Sequence, residues 1–200
     1  MDIKRVVFVG VGGQGNLLAS NLLGQAALEM GIPVVVSEIH GMAQRGGVVE
    51  SAVLMGGAKS PIVSNGEADV VVSFEPLETL RILGRCNKKT LVVTNAQPLP
   101  PFTVAVGQGK YPAVDEILDK IQKKVDKVIA LRGNDLAEEA GNVLSLNMVM
   151  LGALIGSGAT PVTEEVMKKT ISVSTKKAFL ESNLKAFDLG RDVAKKLMAK

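Results

Sequence analysis

The sequence predicts an α/β protein, built as a three-layer α/β/α sandwich around a mixed, mostly parallel, Rossmann-like sheet. Short β-branched runs alternate along the chain with apolar patterns of helical length, which is typical of a sheet covered by helices on both faces. The first run, VVFV at residues 6–9, ends in four glycines within six positions, and a helical stretch follows at once. A later pair of runs is joined without a helix, which favours antiparallel pairing within the sheet.

The amino-terminal half contains both the glycine turn and the connection without a helix. Gly31 and Pro33 end the first helix, and Pro76 suits the first turn of the second. The octapeptide HGMAQRGG, which begins at His40, joins the second strand to the third. We therefore expect strands over residues 4–9, 33–39, 48–55 and 68–74, and helices over residues 16–30 and 76–83.

The carboxyl-terminal half continues the alternation. Apolar residues at helical spacing predict a helix over residues 113–125, and Asp135 and Thr163 are of the types that cap helix N-termini. Three prolines stiffen the segment before residues 102–106, where we expect an edge strand. Further strands are expected over residues 90–95 and 128–131, and further helices over residues 144–155 and 176–198. No repeat or flexible linker is visible, so residues 1–200 are expected to form one domain.

Composition excludes several kinds of site. One histidine and one cysteine cannot form an intrachain disulfide, a zinc site of usual spacing or an iron–sulfur cluster. The sequence has neither a G-x-S-x-G nucleophile elbow nor a P-loop. Aromatic residues make up 3% of the chain, too few for a stacking platform. We therefore expect no bound metal and no nucleic-acid partner.

The charge pattern and the N-terminus bear on location. The net charge is +3, and residues 176–200 carry seven basic and three acidic side chains. This basic segment is either a solvated helix face or a docking surface for an acidic partner. The chain enters a strand without a signal-peptide pattern, and its most apolar helices are too short to span a bilayer. We expect a cytoplasmic protein without membrane contact, whose two nearly all-apolar helices allow a homodimer when the chain is isolated.

The glycine turn leaves three interpretations open. Gly10, Gly12 and Gly15 fit G-x-G-x-x-G between a strand and a helix, where helix N–H groups face an anion. A dinucleotide site requires an acidic residue about 20 positions further on, and Glu38 follows Gly15 by 23 residues. The doubled Gly12-Gly13 and the following HGMAQRGG loop depart from a regular dinucleotide unit. Another anionic or nucleotide-like group, or a purely structural turn, remains possible.

The HGMAQRGG loop is the second dense cluster of functional side chains. It follows the carboxyl end of a predicted strand, where open α/β sheets bind ligands. Arg45 can form a bidentate contact to a carboxylate or phosphate, and His40 can relay a proton. Alternatively, the glycines only supply positive φ angles and Arg45 pairs with Glu38 or Glu50. Outside the two loops, Cys86 is expected to be a small core residue, and Asn147 to satisfy a backbone group or a helix contact.

Four stretches, in order along nearly the whole chain, resemble one family. They are GVGGQGNLLAS (10–20), SEIHGMAQRGGVVES (37–51), NMVMLGAL (147–154) and NLKAFDLG (183–190). Together they resemble the gamma subunit, or gamma domain, of 2-oxoacid:ferredoxin oxidoreductases. The form H-G-M-x-Q-R-G-G is similar to the indolepyruvate type, in which this unit is a separate small (beta) subunit. Pyruvate and 2-oxoglutarate types usually carry a Tyr-Gly variant there, from which this sequence departs.

The resemblance implies participation in the oxidative decarboxylation of a 2-oxo acid, with coenzyme A capturing the acyl group and ferredoxin taking the electrons. It also implies a large partner subunit that holds thiamine diphosphate, magnesium and iron–sulfur clusters and that contacts ferredoxin. This chain is expected to hold no cofactor of its own and to be inactive when isolated.

The resemblance and the clustering together predict one concave face that packs against the catalytic subunit and helps to bind an anionic group of the 2-oxo acid or of coenzyme A. Arg45 is expected to pair with the charge, while Gln44 or His40, the candidate catalytic residue, orients the ligand. The predicted substrate- or coenzyme-binding residues are Gly12, Gly13, Gln14, Gly15, Glu38, His40, Gln44, Arg45, Gly46 and Gly47.

Two other functions remain open at this point. One is a stand-alone NAD(P)-dependent oxidoreductase that uses the glycine turn and Glu38. The other is an assembly subunit without a catalytic role, whose motifs only shape a protein interface.

Overall fold

A computed structural model describes residues 2–40 and 47–199 of the chain, with the backbone alone at residue 40. The described residues contain one six-stranded sheet with the order β2-β3-β1-β4-β5-β6. Its strands are β1 (Lys4–Val11), β2 (Val34–His40), β3 (Val48–Met55), β4 (Ala68–Ser73), β5 (Cys86–Asn95) and β6 (Lys127–Leu131).

Eight α-helices lie within the described part of the chain. They are α1 (Asn16–Glu29), α2 (Pro76–Ile82), α3 (Phe102–Ala105), α4 (Val114–Lys124), α5 (Gly133–Glu139), α6 (Leu146–Gly156), α7 (Glu164–Ser174) and α8 (Leu180–Met198). No helix among the described residues is long and apolar enough to cross a membrane.

The sheet is mixed, as the connection without a helix predicted. β3 pairs antiparallel with both β1 and β2, whereas β1, β4, β5 and β6 pair parallel. After β1 the chain continues to β2 and β3, which lie towards one edge of the sheet. After β4, the neighbour of β1, it continues to β5 and β6, which lie towards the opposite edge. The carboxyl ends of β1 and β4 therefore flank a topological switch point, where open α/β sheets form a ligand crevice.

Two hydrophobic cores cover the two faces of the sheet, which confirms the three-layer prediction. One core joins the sheet to α1, α6, α7 and α8, and the other joins it to α2 and α4. Alternate residues of β1 enter different cores, because successive side chains of a strand point to opposite faces. The first core includes Phe8, Leu22, Met148 and Phe187, and the second includes Val7, Val9, Ile117 and Cys86.

The expected edge strand at residues 102–106 is wrong, because these residues form the short helix α3. Pro101 is the N-cap residue of α3, with an extended backbone (φ −65°, ψ 160°), and the helix begins at the next residue. The amides of Val104 and Ala105 donate to the Pro101 carbonyl, so they are not available to a sheet. The edges of the described sheet are β2 and β6.

The predicted cap at Asp135 is also wrong, whereas the cap at Thr163 is confirmed. α5 begins two residues earlier, at Gly133, so that Asp135 lies in its first turn and accepts hydrogen bonds from Arg132 and Gln97. The Thr163 hydroxyl accepts a hydrogen bond from the Val166 amide at the start of α7.

Candidate functional site

The glycine turn leaves the start of α1 without a side-chain cap. Gly13 and Gly15 have φ angles of 101° and 79°, which L side chains rarely adopt. Gly15 is the N-cap residue of α1, no side-chain hydrogen bond caps it, and the first turn contains no acidic residue. Such a helix start carries partial positive charge on its free N–H groups. The geometry is compatible with an anion at this turn, and anion binding there stays a prediction.

Gln14 is turned into the fold. Its Oε1 accepts a hydrogen bond from the Val11 amide at 2.8 Å, and its Nε2 donates to the Phe74 carbonyl at 3.1 Å. The side chain thus ties the end of β1 to the residue after β4 and fixes the shape of the glycine turn. Gln14 is one of the predicted binding residues, and both polar atoms of its side-chain amide are hydrogen-bonded to the backbone of the protein.

Asn95 extends this connection across the crevice, and the sequence analysis missed it. The fully buried Asn95 Nδ2 donates to the same Phe74 carbonyl at 3.1 Å and to Asn134 Oδ1 at 2.8 Å. Its Oδ1 accepts from the Gly133 amide at 2.9 Å. The ends of β1, β4 and β5 and the start of α5 are thereby joined in one amide network. A polar residue ending the apolar run TLVVTN was the available signal.

Gln97 fixes the opposite wall of the crevice. Its Oε1 accepts from the amides of Asn134 (2.8 Å) and Asp135 (3.2 Å), while its Nε2 donates to Asp135 Oδ1 at 2.7 Å. The segment after β5 is therefore held against the start of α5. A wall held by several hydrogen bonds needs little ordering when a ligand binds.

A cleft of about 320 Å³ lies between the glycine turn and this wall. One side presents the turn, and the other sides present Gln97, Asn134 and mainly apolar residues, of which Leu144 is 79% exposed. A few polar groups within an apolar concave surface are typical of a ligand site. The lining residues are Gly13, Gln14, Gly15, Gln97, Pro98, Leu99, Asn134, Val143, Leu144 and Leu146.

The two predicted loops meet at one described contact. The Gly12 amide donates to the Gly47 carbonyl at 2.9 Å, which places the end of the second loop beside the glycine turn. His40 pairs with Val49 through the ladder of β2 and β3. The predicted residues Gln44, Arg45 and Gly46 lie outside the described residues. The described contacts thus bring Gly12, Gly13, Gly15 and Gly47 together.

Glu38 lies apart from the cleft. Its side chain is exposed and accepts a hydrogen bond from Asn21 Nδ2 of α1 at 3.2 Å. β3 separates β2 from β1, so two strand spacings, about 10 Å in total, lie between Glu38's strand and the glycine strand. A regular dinucleotide site has its acidic residue on the strand adjacent to the glycine strand. This order disfavours the dinucleotide interpretation.

A second cavity, of about 230 Å³, lies on the other side of Leu99 and is acidic. The carboxylate of Glu75, which is the N-cap of α2, accepts hydrogen bonds from the amides of Glu78 (3.0 Å) and Leu99 (3.1 Å) and from the Tyr111 hydroxyl. Burial raises the pKa of Glu78; the nearby Arg81 opposes this rise, and Glu75 adds to it. Burial and the bond to Glu75 also raise the pKa of Tyr111.

Neither Cys86 nor the described acidic residues suggest a metal centre. Cys86 is buried, as predicted for a core residue, and burial raises the pKa of its thiol to about 11. Among the described residues, no group of three or more histidine, cysteine, aspartate or glutamate side chains is arranged to hold a metal ion.

Residues 5–193 match the family model described as pyruvate ferredoxin/flavodoxin oxidoreductase. A protein named indolepyruvate oxidoreductase subunit IorB, from Pyrococcus horikoshii, is 43% identical over 200 residues, which cover 99% of each chain.

Two solved structures share the fold. The gamma subunit of a keto/oxoacid ferredoxin oxidoreductase from Geobacter sulfurreducens superposes with a TM-score of 0.73 at 20% identity, over 98% of this chain and 99% of that one. A 2-oxoglutarate:ferredoxin oxidoreductase from Magnetococcus marinus, with 2-oxoglutarate, coenzyme A and succinyl-CoA bound, gives a TM-score of 0.75 at 22% identity. That match covers 98% of this chain and 32% of the other, so the same fold also occurs as part of a longer chain.

Proposed function

The chain belongs to the pyruvate ferredoxin/flavodoxin oxidoreductase family, and from that premise we propose that it is the small subunit of an indolepyruvate-type 2-oxoacid:ferredoxin oxidoreductase. The observation that carries the proposal is 43% identity, over almost the full length of both chains, to a protein named as the IorB subunit of indolepyruvate oxidoreductase. The histidine-containing motif HGMAQRGG supports the same assignment. On this proposal, residues 1–200 act as one gamma-type domain.

The reaction assigned to the complex is an oxidative decarboxylation. A 2-oxo acid such as indolepyruvate reacts with coenzyme A and two oxidised ferredoxins, and the products are acyl-CoA, carbon dioxide, a proton and two reduced ferredoxins. The large partner subunit supplies thiamine diphosphate, magnesium and the iron–sulfur clusters. The small subunit supplies a binding surface, so the isolated chain is inactive.

The cleft at the glycine turn is the part of this subunit that we assign to ligand binding. The open backbone at Gly13 and the uncapped start of α1 suit a phosphate of coenzyme A or the carboxylate of the 2-oxo acid. The contact between Gly12 and Gly47 supports a role for the adjoining loop, from which Arg45 would neutralise the anion and His40 or Gln44 would orient it. Gly46 and Gly47 would let the loop backbone approach the ligand.

The first experiment is co-purification with the untagged large subunit, followed by an assay of a panel of 2-oxo acids with ferredoxin as acceptor. We expect turnover with an aryl pyruvate only when both chains are present. Turnover by either chain alone, or a complex without any 2-oxo acid activity, would contradict the proposed function.

The ligand-binding role is tested by Arg45→Ala in the same complex. A hydrogen-bonded charge contact contributes roughly 1.5–3 kcal/mol, so KM for coenzyme A or the 2-oxo acid should rise about tenfold or more. Lys120→Ala, on the exposed side of α4, is the matched control. Unchanged KM and kcat in Arg45→Ala would favour the assembly-only alternative. Titration of the isolated chain with NADH tests the dinucleotide alternative, for which we expect no binding.

A further inference from the structure

The outer edge of β2 is the less protected of the two edges of the described sheet. No strand within residues 2–40 and 47–199 pairs with that edge, although β2 is seven residues long and contains neither proline nor lysine. The opposite edge strand, β6, has five residues and begins with the exposed Lys127. Natural proteins shorten or charge their edge strands because open peptide groups pair with another chain. β2 lacks both features, which favours pairing with a further strand.

Alternate peptide groups of β2 point away from the sheet. The Gly56 amide donates to the Pro33 carbonyl at 2.9 Å, so Pro33 faces β3. In an antiparallel pair the direction alternates from residue to residue. The odd-numbered residues of β2 therefore turn their peptide groups to β3, whereas Val34 and Val36 turn theirs outwards. These outward groups can extend the ladder by one strand.

The face of β2 that turns away from α1 carries exposed apolar side chains at the same edge. Ile39 is 59% exposed, and Ile62, in the segment after β3, is 71% exposed. The Ser37 hydroxyl donates to the Pro61 carbonyl at 3.3 Å, which holds this segment beside β2. Both isoleucines and Ser37 line a small pocket of about 150 Å³. The strand that pairs here must therefore also present aliphatic side chains.

We propose that β2 pairs antiparallel with β2 of a second copy of this chain, about a two-fold axis at Ser37. In this register Ser37 lies opposite Ser37 of the second copy, and Val35 of each copy lies opposite Ile39 of the other. Two aliphatic cross-strand pairs form on the face that carries the pocket, and such pairs stabilise a sheet. The two neighbouring registers place Ser37 opposite Val35 or Ile39 instead and lose both aliphatic pairs.

The two-fold arrangement leaves both clefts open. β3 lies between β2 and β1, so the paired edge is two strand spacings, about 10 Å, from the glycine strand. β2 runs parallel to β1, because each of them is antiparallel to β3. The β1 strands of the two copies therefore run in opposite directions, and their clefts open at opposite edges of the combined sheet. Each copy can then bind its own large subunit, a consequence that rests on the proposed function, whereas the pairing itself does not.

The first test is light scattering of the full chain over a range of concentrations. We expect a mass twice that of one chain. Ile39→Lys should raise the dimer Kd at least tenfold, because it replaces both aliphatic pairs by a lysine against Val35. Val173→Lys, which changes an 81% exposed side chain on α7, is the matched control and should leave the Kd unchanged. A monomer at every concentration, or equal Kd values for Ile39→Lys and the wild type, would overturn the inference.

The second test uses disulfide cross-linking to measure the register. Opposite residues of a non-hydrogen-bonded pair have Cα atoms about 4.5 Å apart, which a disulfide can bridge, so Ser37→Cys should join two copies on mild oxidation. Val35→Cys is the matched control, since the two Val35 positions lie four residues, about 14 Å, apart. The wild type should not cross-link, because Cys86 is buried and the pKa of its thiol is raised to about 11. Cross-linking of Val35→Cys in place of Ser37→Cys would contradict the register.

Cross-linking in the reconstituted complex distinguishes a second copy from the large subunit as the occupant of the edge. Ser37→Cys should still join two small subunits when the large subunit is bound. Loss of this cross-link on addition of the large subunit would overturn the inference, because the large subunit would then occupy the edge. A complex without 2-oxo acid activity that retains the cross-link would refute the proposed function and leave the pairing of β2 intact.

Discussion

Two regions of this molecule are rich in glycine for opposite reasons. Where α6 crosses α8, a Cβ on Gly152 would lie 1.9 Å from the Phe187 carbonyl oxygen, and one on Gly190 would lie 2.0 Å from that of Val149. At the glycine turn, a Cβ on Gly13 would meet no atom within 4 Å. Glycine in the helix crossing allows two backbones to touch, whereas at Gly13 it gives a positive φ and leaves an open backbone.

The same contrast holds for the charged groups of the two regions. In the helix layer formed by α1, α6, α7 and α8, burial acts to raise the pKa of Glu164 at the start of α7. Hydrogen bonds from Lys168 and Arg191 outweigh burial, so the pKa of Glu164 is lowered. Beside the glycine turn, the pKa of Glu78 is raised and one of its oxygens has no partner among the described residues. Buried polar groups are usually fully hydrogen-bonded where a region serves only stability, and exceptions to this pattern are expected at functional sites.

The two regions also touch each other. Gly15 is so close to the first turn of α6 that a Cβ there would lie 2.8 Å from Asn147 Nδ2. Asn147 Oδ1 accepts a hydrogen bond from the Met148 amide, as expected for a residue that satisfies a backbone group. The helix layer thus supports the glycine turn from behind, while the turn opens to the cleft on its other side.

The largest expected effect is at the helix crossing. Gly190→Ala forces α6 and α8 apart, because the new methyl group would overlap a backbone carbonyl that cannot rotate away. Overpacking costs typically 1–3 kcal/mol, and we expect about 3 kcal/mol or more here. Urea unfolding measures the change. Gly84→Ala is the control, since its Cβ would meet Asn65 Oδ1 at an ordinary 3.6 Å. Equal, small effects of the two changes would refute the packing role of Gly190.

Asn95→Ala should have the next largest effect. It leaves the buried Gly133 amide without its acceptor and removes one donor from the Phe74 carbonyl, at a cost of about 1–3 kcal/mol. Because the network also fixes the cleft wall, the KM of the complex for coenzyme A or the 2-oxo acid should rise as the free energy of unfolding falls. Asn65→Ala, at an exposed position, should change the free energy of unfolding by less than about 0.5 kcal/mol. An Asn95→Ala protein as stable as this control would show that the network is dispensable.

The pH dependence of Glu78→Gln sharpens the contrast between satisfied and unsatisfied charges. The pKa of Glu78 is raised in the folded state, so the stability linked to its protonated form is present below the ordinary value of 4.5 and is lost as pH rises through the raised value. The variant lacks this titration. Unfolding free energies at pH 4 and pH 8 should therefore show the wild type losing stability relative to the variant at the higher pH. A pH-independent difference would contradict the raised pKa.

Local patterns in the sequence predicted most of the fold. The glycine turn, the connection without a helix and the apolar periodicity are properties of neighbouring residues, and they correctly predicted the mixed sheet and the layers. Residues 102–106 misled because Phe102 and Val104 are β-formers, whereas in the structure the Pro101 carbonyl accepts the first hydrogen bonds of a short helix. Propensity is a weak guide for a segment of four residues.

The candidate site was predicted only in part, because its walls come from residues far apart in the chain. Asn95 reaches Phe74 and Gly133, which are 21 and 38 positions away, and Glu75 reaches Tyr111, which is 36 positions away. No local motif records such contacts. Glu38 illustrates the converse, because its sequence spacing suits a ribose contact, whereas β3 lies between its strand and the glycine strand.

The most direct test of this contrast compares Gly13→Ala with Gly31→Ala in the reconstituted complex. Both glycines have positive φ angles, 101° and 71°, with no atom within 4 Å of the added methyl group. Each change should therefore lower the free energy of unfolding by a similar amount, about 1–2 kcal/mol. The proposed role of the glycine turn predicts that Gly13→Ala raises KM for coenzyme A or the 2-oxo acid several-fold, while Gly31→Ala leaves both unchanged. Identical kinetics for the two variants would contradict it.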